Sequence, residues 1–173
     1  MDPTVSHHSV LFYDCDPQIE EAAARFLLEG MQKGNDAIVV ATPKRRAALF
    51  PWLVRLGMEE FAVDRPRLFL YDAKLILNSF LVDGMPHPAL FQSSLMPIFA
   101  KVRNNPVVFG EIVDVLAQEG NLSAALKLEE LWNQEIADRS FPLFCGYARC
   151  SFGGTHGAEF EEVCRRHSQV HLH

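Results

Sequence analysis

Polar side chains that can hold a ligand lie directly after the apolar runs of this sequence. Tyr13 and Asp14 end the first run, Thr42 and Asp72 come after the second and third, and Glu111 ends a later one. Carboxylate, hydroxyl and phenol groups at the ends of buried strands are typical of the ligand crevice of an open α/β sheet. We predict that these five residues line one pocket with Glu111 as a polar anchor. Helix capping, or pairing of Glu111 with an arginine, is the alternative role.

Three further candidates lie later in the chain. Cys145 and Tyr147 are two residues apart on a predicted strand, so both point to one face. A thiol and a phenol directed into a pocket could sense an electrophile or a metal, whereas the alternative is a core position, since free cysteine is usually buried. Asn133 lies at the border of a helical apolar stripe that contains Trp132, and a ligand could satisfy its amide there.

The chain also contains a sparse set of metal-binding residue types near its end. Cys164, His167 and His171 recur at i, i+3 and i+7, a spacing that can ligate zinc. No tight pair of ligand hairpins accompanies them, and a histidine on an apolar face is more often a core residue. The Cys164–His167 pair also lacks a visible third residue to orient it for cysteine catalysis. We therefore predict no metal and no other cofactor.

The connection after the first apolar run argues against nucleotide chemistry. A phosphate-binding loop needs glycines and a lysine. The segment Asp14–Cys15–Asp16–Pro17 has neither, and its two carboxylates would repel a phosphate. No GxxxxGK[ST] motif occurs in the sequence. We predict no ATP hydrolysis and no tight nucleotide binding.

The elements that must position the candidates alternate between short apolar runs and amphipathic stretches, which is typical of βαβ units. The predicted strands cover residues 8–13, 38–41, 67–71, 107–111 and 143–148. Asp16, Thr42 and Asn121 are placed to cap the helices that come after them, and a last helix is predicted over residues 159–171. The pattern predicts one α/β domain over residues 1–173, with a five-stranded, mostly parallel sheet and helices on both faces.

The length, net charge and cysteine pattern of the chain argue against several classes of protein. A chain of 173 residues is long enough for one well-cored domain. The formal net charge of -6, without a basic stripe, argues against direct nucleic-acid binding. No signal-peptide pattern and no apolar run of membrane-spanning length occurs. The four cysteines lack a disulfide framework, so we predict a cytoplasmic protein with free thiols.

Several segments together resemble the MEDS family, the sensory domain named from methanogens, methylotrophs and a dichloromethane-responsive regulator. They are 8–13 (HSVLFY), 82–86 (VDGMP), 109–111 (FGE), 119–121 (EGN), 128–133 (LEELWN), 144–147 (FCGY) and 167–168 (HS). The resemblance covers nearly the whole chain. It implies a core similar to the RecA/KaiC-like ATPases, here without a phosphate loop. It also implies a sensor of small hydrocarbon derivatives, usually attached to a histidine kinase or a DNA-binding module.

The functional prediction is a non-enzymatic sensor of a small organic ligand in a signal-transduction or transcription-regulatory system. The alternatives are a protein-interaction module without a ligand and, third, a small enzyme using Glu111 or Cys145. The sequence contains no kinase catalytic domain and no helix-turn-helix, so we expect a histidine kinase or regulatory partner chain to read its state. Residues 83–88 and the C-terminal helix with His167 are the segments expected to move. Homodimerisation is compatible with the sequence, although no heptad seam supports it.

Overall fold

The structure, a computed structural model, describes residues 7–58, 68–153 and 157–172. The strands in these ranges are β1 (His8–Tyr13), β2 (Ala37–Ala41), β3 (Leu68–Asp72), β4 (Leu81–Val82), β5 (Met85–Pro86), β6 (Val107–Gly110), β7 (Leu143–Ala148) and β8 (Gln169–Leu172). The helices are α1 (Asp16–Gln32), α2 (Pro43–Arg55), α3 (Ala73–Phe80), α4 (Pro88–Phe99), α5 (Ile112–Gln118), α6 (Leu122–Arg139) and α7 (Ala158–Arg165). The predicted start of the third strand, at position 67, lies outside the described residues.

Among the described residues, six strands form one parallel sheet in the order β3-β2-β6-β7-β1-β8. The short strands β4 and β5 form a separate antiparallel hairpin. The predicted fold class, a mostly parallel α/β sheet with helices on both faces, is confirmed. The predicted count of five strands is one too low for this sheet, because the sequence pattern does not reveal β8.

The last predicted helix, over residues 159–171, is wrong in its second half. α7 ends at Arg165, and β8 then pairs in parallel with β1, with Ser9 opposite Gln169. β8 is only four residues long and all four of its side chains are exposed, so its short polar–apolar alternation is too brief to separate a strand from the end of a helix. Its place is set by backbone pairing with β1. The sequence analysis also did not predict α5.

Two helical layers cover the sheet and create two separate cores. α1 and α2 pack on one face, which we call the α1 face, against side chains such as Leu11, Val39 and Phe109. α3 to α7 pack on the opposite face, which we call the α6 face, against side chains such as Val10 and Phe12. Because successive side chains of a strand point to opposite faces, neighbouring residues lie in different cores.

Local capping explains where several helices begin. Thr42 Oγ1 accepts the Arg45 backbone N–H at the start of α2, and Asn121 Oδ1 accepts the Ala124 N–H at the start of α6. Both predicted caps are confirmed. The predicted cap Asp16 is wrong by one position, because Cys15 is the N-cap of α1 and Asp16 its first residue. No helix in the described part of the chain is both long and apolar enough to cross a membrane.

Candidate functional site

A first polar cluster lies at the carboxyl edge of the sheet and is centred on Arg45 of α2, a residue that the sequence analysis did not single out. Arg45 Nε donates to Glu111 Oε1 at 2.9 Å, and Nη2 donates to Tyr13 Oη at 3.1 Å. Nη2 also reaches Asp16 Oδ1 at 3.0 Å. Glu111 Oε2 accepts the Thr42 backbone N–H at 2.6 Å. Tyr13, Thr42 and Glu111 thus share one network, joined by a buried arginine.

Asp114 extends this network into the interior. Its Oδ2 accepts the Tyr13 hydroxyl at 2.5 Å, and its Oδ1 accepts the Ala148 backbone N–H at 3.0 Å. Burial raises the pKa of Asp114 despite these hydrogen bonds. Burial and the Asp114 carboxylate likewise raise the pKa of Tyr13 far above its usual range. The polar groups at this edge are therefore engaged with one another, and a ligand would have to displace the side chain of Arg45.

The other two strand-end candidates have different partners. Asp72 caps α3 by accepting the backbone N–H groups of Lys74 and Leu75, and it pairs with Arg46 at 3.2 Å. Asp14 is exposed and pairs with Arg149 at 3.3 Å. Helix capping, the alternative role, describes Asp72, and pairing with an arginine, the alternative role of Glu111, describes its contact with Arg45.

A second polar cluster lies on the α6 face, in the interior. His8 begins β1, Glu129 lies on α6, Cys145 lies on β7, and His167 stands between α7 and β8. One ligand atom from each side chain can be chosen so that all four atoms lie within 4.8 Å of one another. The side chains of His8, Glu129 and His167 are 4%, 0% and 0% exposed. We call these four residues the His–Glu–Cys cluster.

Glu129 is at the centre of the His–Glu–Cys cluster. His8 Nε2 lies 3.2 Å from its Oε2, and His167 Nε2 lies 3.4 Å from its Oε1. The Tyr147 hydroxyl donates to Oε1 at 2.8 Å. Cys145 Sγ lies 3.6 Å from His8 Nε2. Burial opposes ionisation of Glu129, but the charges of His167 and His8 lower the pKa of this carboxyl well below its usual range.

The Nδ1 atoms of His8 and His167 face away from Glu129, and their partners determine which tautomer each histidine adopts. Asn133 donates through Nδ2 to the Arg166 carbonyl at 3.0 Å, so its Oδ1, which is 2.8 Å from His8 Nδ1, must accept. The Val163 carbonyl, 2.7 Å from His167 Nδ1, can also only accept. Both Nδ1 atoms therefore carry the proton, and both Nε2 atoms face the cluster.

Two buried atoms of the cluster remain without a hydrogen bond. Glu129 Oε2 and His167 Nε2 have no hydrogen-bond partner among the described residues. Both histidines lie within ion-pair distance of the carboxylate, at 3.2 and 3.4 Å, but neither contact has the geometry of a hydrogen bond. The Glu129 carboxylate still raises the pKa of His167, although burial alone would lower it.

The Cys145–His8 contact does not form an accessible nucleophile. Both residues are buried, with exposures of 1% and 3%. A reactive cysteine needs thiolate character and access to substrate. Burial and the charge of Glu129 instead raise the pKa of Cys145 well above its usual range. Of the predicted site residues, Asn133, Cys145 and Tyr147 all contact this cluster, while His8 and Glu129 were missed.

The three residues of the weak zinc alternative are not brought together. His167 belongs to the His–Glu–Cys cluster, and His171 is an exposed residue of β8. Cys164 is half-buried on α7. The helical spacing that suggested the set ends at Arg165.

A cavity of about 560 Å³ lies on the α1 face, between α1 and the amino halves of β1, β6 and β7. None of the eight predicted ligand-binding residues lines it. Its lining residues are His7, Ser9, Leu11, Ala22, Arg25, Phe26, Glu29, Gly30, Lys33, Asn35, Asn105, Val107, Pro142, Phe144, Gln169 and His171. Gly30 lets the helix approach the sheet here, because a Cβ at this position would lie 2.4 Å from Val107 Cγ1.

Comparison with known proteins places the chain in a family. No curated protein and no solved structure matched it, so the RecA/KaiC-like core remains an implication of the resemblance. The family model described as "MEDS: MEthanogen/methylotroph, DcmR Sensory domain" matches residues 7–168, nearly the whole chain. The chain therefore belongs to the MEDS family of sensory domains.

Proposed function

We propose that this chain binds a small, largely apolar organic molecule and reports its presence to a partner protein in a signal-transduction or transcription-regulatory system. The observation that carries the proposal is the cavity of about 560 Å³ on the α1 face. Small-molecule sites typically have volumes of about 300–1,000 Å³. Membership of a sensory family supports the same role.

The lining of the cavity suits a molecule with an apolar body and a polar end. Leu11, Val107 and Phe144 project from the sheet, and Phe26 projects from α1. Arg25 and Glu29 of α1, and Lys33 directly after it, also line the cavity and are charged. Nine of the sixteen lining residues are polar or charged, so the apolar patch is bordered by groups that can orient a ligand.

This proposal differs from the pocket predicted from the sequence. The predicted pocket was at the carboxyl edge of the sheet, where Arg45 already contacts Glu111 and Tyr13. Ligand entry there would break charge-assisted hydrogen bonds, which are the strongest class. The cavity on the α1 face requires no such exchange.

Exposed apolar side chains supply a surface for the partner. Leu75 on α3 is 72% exposed and Met96 on α4 is 61% exposed. These two helices pack together, and the Ser79 and Ser94 hydroxyls are hydrogen-bonded at 2.7 Å. Apolar surface of this kind is a common mark of protein contact sites. Such a surface would serve a sensor that docks to a partner and the rival interaction module equally well, so it does not separate the two.

The test is a thermal-shift screen in which the cavity is filled by mutation. Ala22→Phe adds a ring to a residue that lines the cavity, and Ala47→Phe adds the same ring to an exposed position of α2. The probes are dichloromethane, short alcohols and substituted benzenes. A ligand at one hundred times its Kd contributes about 2.7 kcal/mol, which raises Tm by about 5–11 °C for a chain of this size.

We expect at least one probe to raise the Tm of the wild-type protein and of Ala47→Phe, but not of Ala22→Phe. Native mass spectrometry of the wild-type protein then gives the stoichiometry. If no probe changes Tm or adds mass, the pure interaction module is favoured. An equal shift in all three proteins would place the ligand outside the cavity.

A further inference from the structure

We propose that the His–Glu–Cys cluster is a buried site for one divalent transition-metal ion of the zinc type. The ligands would be His8 Nε2, His167 Nε2, Cys145 Sγ and a Glu129 carboxylate oxygen. The site lies on the α6 face and is separate from the α1-face cavity, so this proposal does not depend on the proposed ligand.

The distances within the cluster match the edges of a tetrahedral metal site. Zinc bonds of about 2.0–2.1 Å to nitrogen and oxygen and about 2.3 Å to sulfur give edges of about 3.4 Å for N···O and about 3.6 Å for N···S. His8 Nε2 lies 3.2 Å from Glu129 Oε2 and 3.6 Å from Cys145 Sγ, and His167 Nε2 lies 3.4 Å from the other carboxylate oxygen, Oε1. Each histidine nitrogen is therefore within edge distance of one of the two carboxylate oxygens. No pair of the four ligand atoms exceeds 4.8 Å, so the widest pair is at most about 1.4 Å longer than a tetrahedral edge.

The hydrogen-bond partners of the proposed ligands are of the kind that a metal site requires. Metal-bound histidines usually donate the remote N–H to a carbonyl or carboxylate, which fixes the tautomer and the ring orientation. His8 donates to Asn133 Oδ1 and His167 donates to the Val163 carbonyl. The Tyr147 hydroxyl holds the Glu129 carboxylate. Both Nε2 lone pairs are thereby directed inward.

The cluster also needs positive charge at its centre. Glu129 is fully buried, and its Oε2 and His167 Nε2 lack hydrogen-bond partners among the described residues. Buried polar atoms are rarely left in this state, because each unsatisfied group is costly. A metal ion would bind the carboxylate, both lone pairs and the Cys145 thiolate at once. Binding would release the thiol proton of Cys145, since the ligand form is the thiolate. The rival occupant is a set of protons on the two imidazoles.

The ligand set selects the class of metal. Two imidazoles, one thiolate and one carboxylate suit zinc, and Co²⁺ can replace zinc as a spectroscopic probe, whereas hard cations such as Mg²⁺ and Ca²⁺ prefer all-oxygen sites. The four ligands fill a tetrahedral shell, the arrangement of a structural rather than a catalytic zinc site. They come from β1, α6, β7 and the segment before β8, so the ion would tie the C-terminal segment to the sheet.

The test measures metal content and cobalt spectra of the chain of 173 residues. Protein produced with added zinc is analysed by elemental mass spectrometry, and protein stripped under denaturing conditions is refolded with Co²⁺. We expect one equivalent of metal and a thiolate-to-cobalt charge-transfer band with the visible bands of a tetrahedral site. Cys145→Ser removes the thiolate and should abolish the charge-transfer band. Cys164→Ser, outside the cluster, should keep it.

The wild-type protein alone decides the outcome if a variant fails to fold. Folded wild-type protein that retains no stoichiometric zinc or cobalt would overturn the proposal and leave protons as the occupants. Cobalt bound without a thiolate band would place the metal on surface histidines and also overturn it. A charge-transfer band that persists in folded Cys145→Ser would exclude the assigned ligand. One equivalent with a band that depends on Cys145 supports the site.

Discussion

Replacing Arg45 with methionine should destabilise the domain far more than the same change at its neighbour Arg46. Arg45 holds Glu111 at 2.9 Å, and the two side chains are 6% and 9% exposed. Methionine keeps the apolar stem but leaves the Glu111 carboxylate buried without its cation. Arg46 pairs with Asp72 at 3.2 Å, where the side chains are 26% and 19% exposed.

The burial of each ion pair sets the expected loss of stability. Breaking a buried ion pair from one side costs about 3–5 kcal/mol. The lower end applies here, because Thr42 N–H still donates to Glu111. A loss of about 3 kcal/mol lowers Tm by about 6–12 °C for a chain of this size. The more exposed Arg46 pair is worth about 0–1 kcal/mol, so Arg46→Met should shift Tm by no more than a few degrees.

The assay is urea and thermal unfolding of five proteins: wild type, Arg45→Met, Arg46→Met, Glu111→Gln and Arg45→Met/Glu111→Gln. Glutamine can still accept the Thr42 N–H but carries no charge, so the double variant should recover part of the loss. A coupling free energy of about 1–3 kcal/mol between Arg45 and Glu111 is expected for residues in such contact. Equal losses in Arg45→Met and Arg46→Met, or no coupling, would refute the argument that this edge is closed by a buried ion network.

Close packing and burial predict two further outcomes. Gly30→Ala should lower the free energy of unfolding by up to about 2 kcal/mol, because overpacking against Val107 costs about 1–3 kcal/mol and the helix propensity of alanine returns about 1 kcal/mol. Denaturant unfolding at unchanged slope measures this loss, and a more stable variant would contradict the argument. In a thiol titration of the folded protein, the exposed Cys15 and Cys150 should react first. The buried Cys145 should react only after unfolding. Rapid modification of Cys145 in folded protein would show that the interior opens.

The carboxyl-edge network was partly accessible to sequence reasoning. Residues that end parallel strands meet at one edge of a sheet, and this rule grouped Tyr13, Thr42 and Glu111. It did not identify Arg45, because an arginine three residues after a helix cap normally lies on a solvated surface. Nothing in its local sequence distinguishes it from Arg46. The contacts of Arg45 depend on how α2 packs beside α1, which is a tertiary property.

The His–Glu–Cys cluster could not be assembled from spacing. Its members are separated by at least sixteen residues along the chain, and the sheet order brings β1 and β7 together with β8 at the edge. One signal was present. Glu129 and Asn133 are i, i+4 on α6, beside the buried stripe of Leu128 and Trp132, so a polar pair faces inward. A buried carboxylate requires partners, and a search for histidines at strand starts would have found His8.

Neighbouring side chains of a strand point to opposite faces of the sheet, so the cavity and the His–Glu–Cys cluster lie on opposite sides of the same strands. In β1, His8 belongs to the cluster and Ser9 lines the cavity; in β7, Cys145 and Phe144 are divided in the same way. A ligand that shifts these strands from the α1 face must therefore also move the side chains of the His–Glu–Cys cluster on the α6 face. If both proposed sites are occupied, linkage requires each occupant to change the affinity of the other by the same factor. Such a shift would extend to β8, which pairs with β1 and begins two residues after His167.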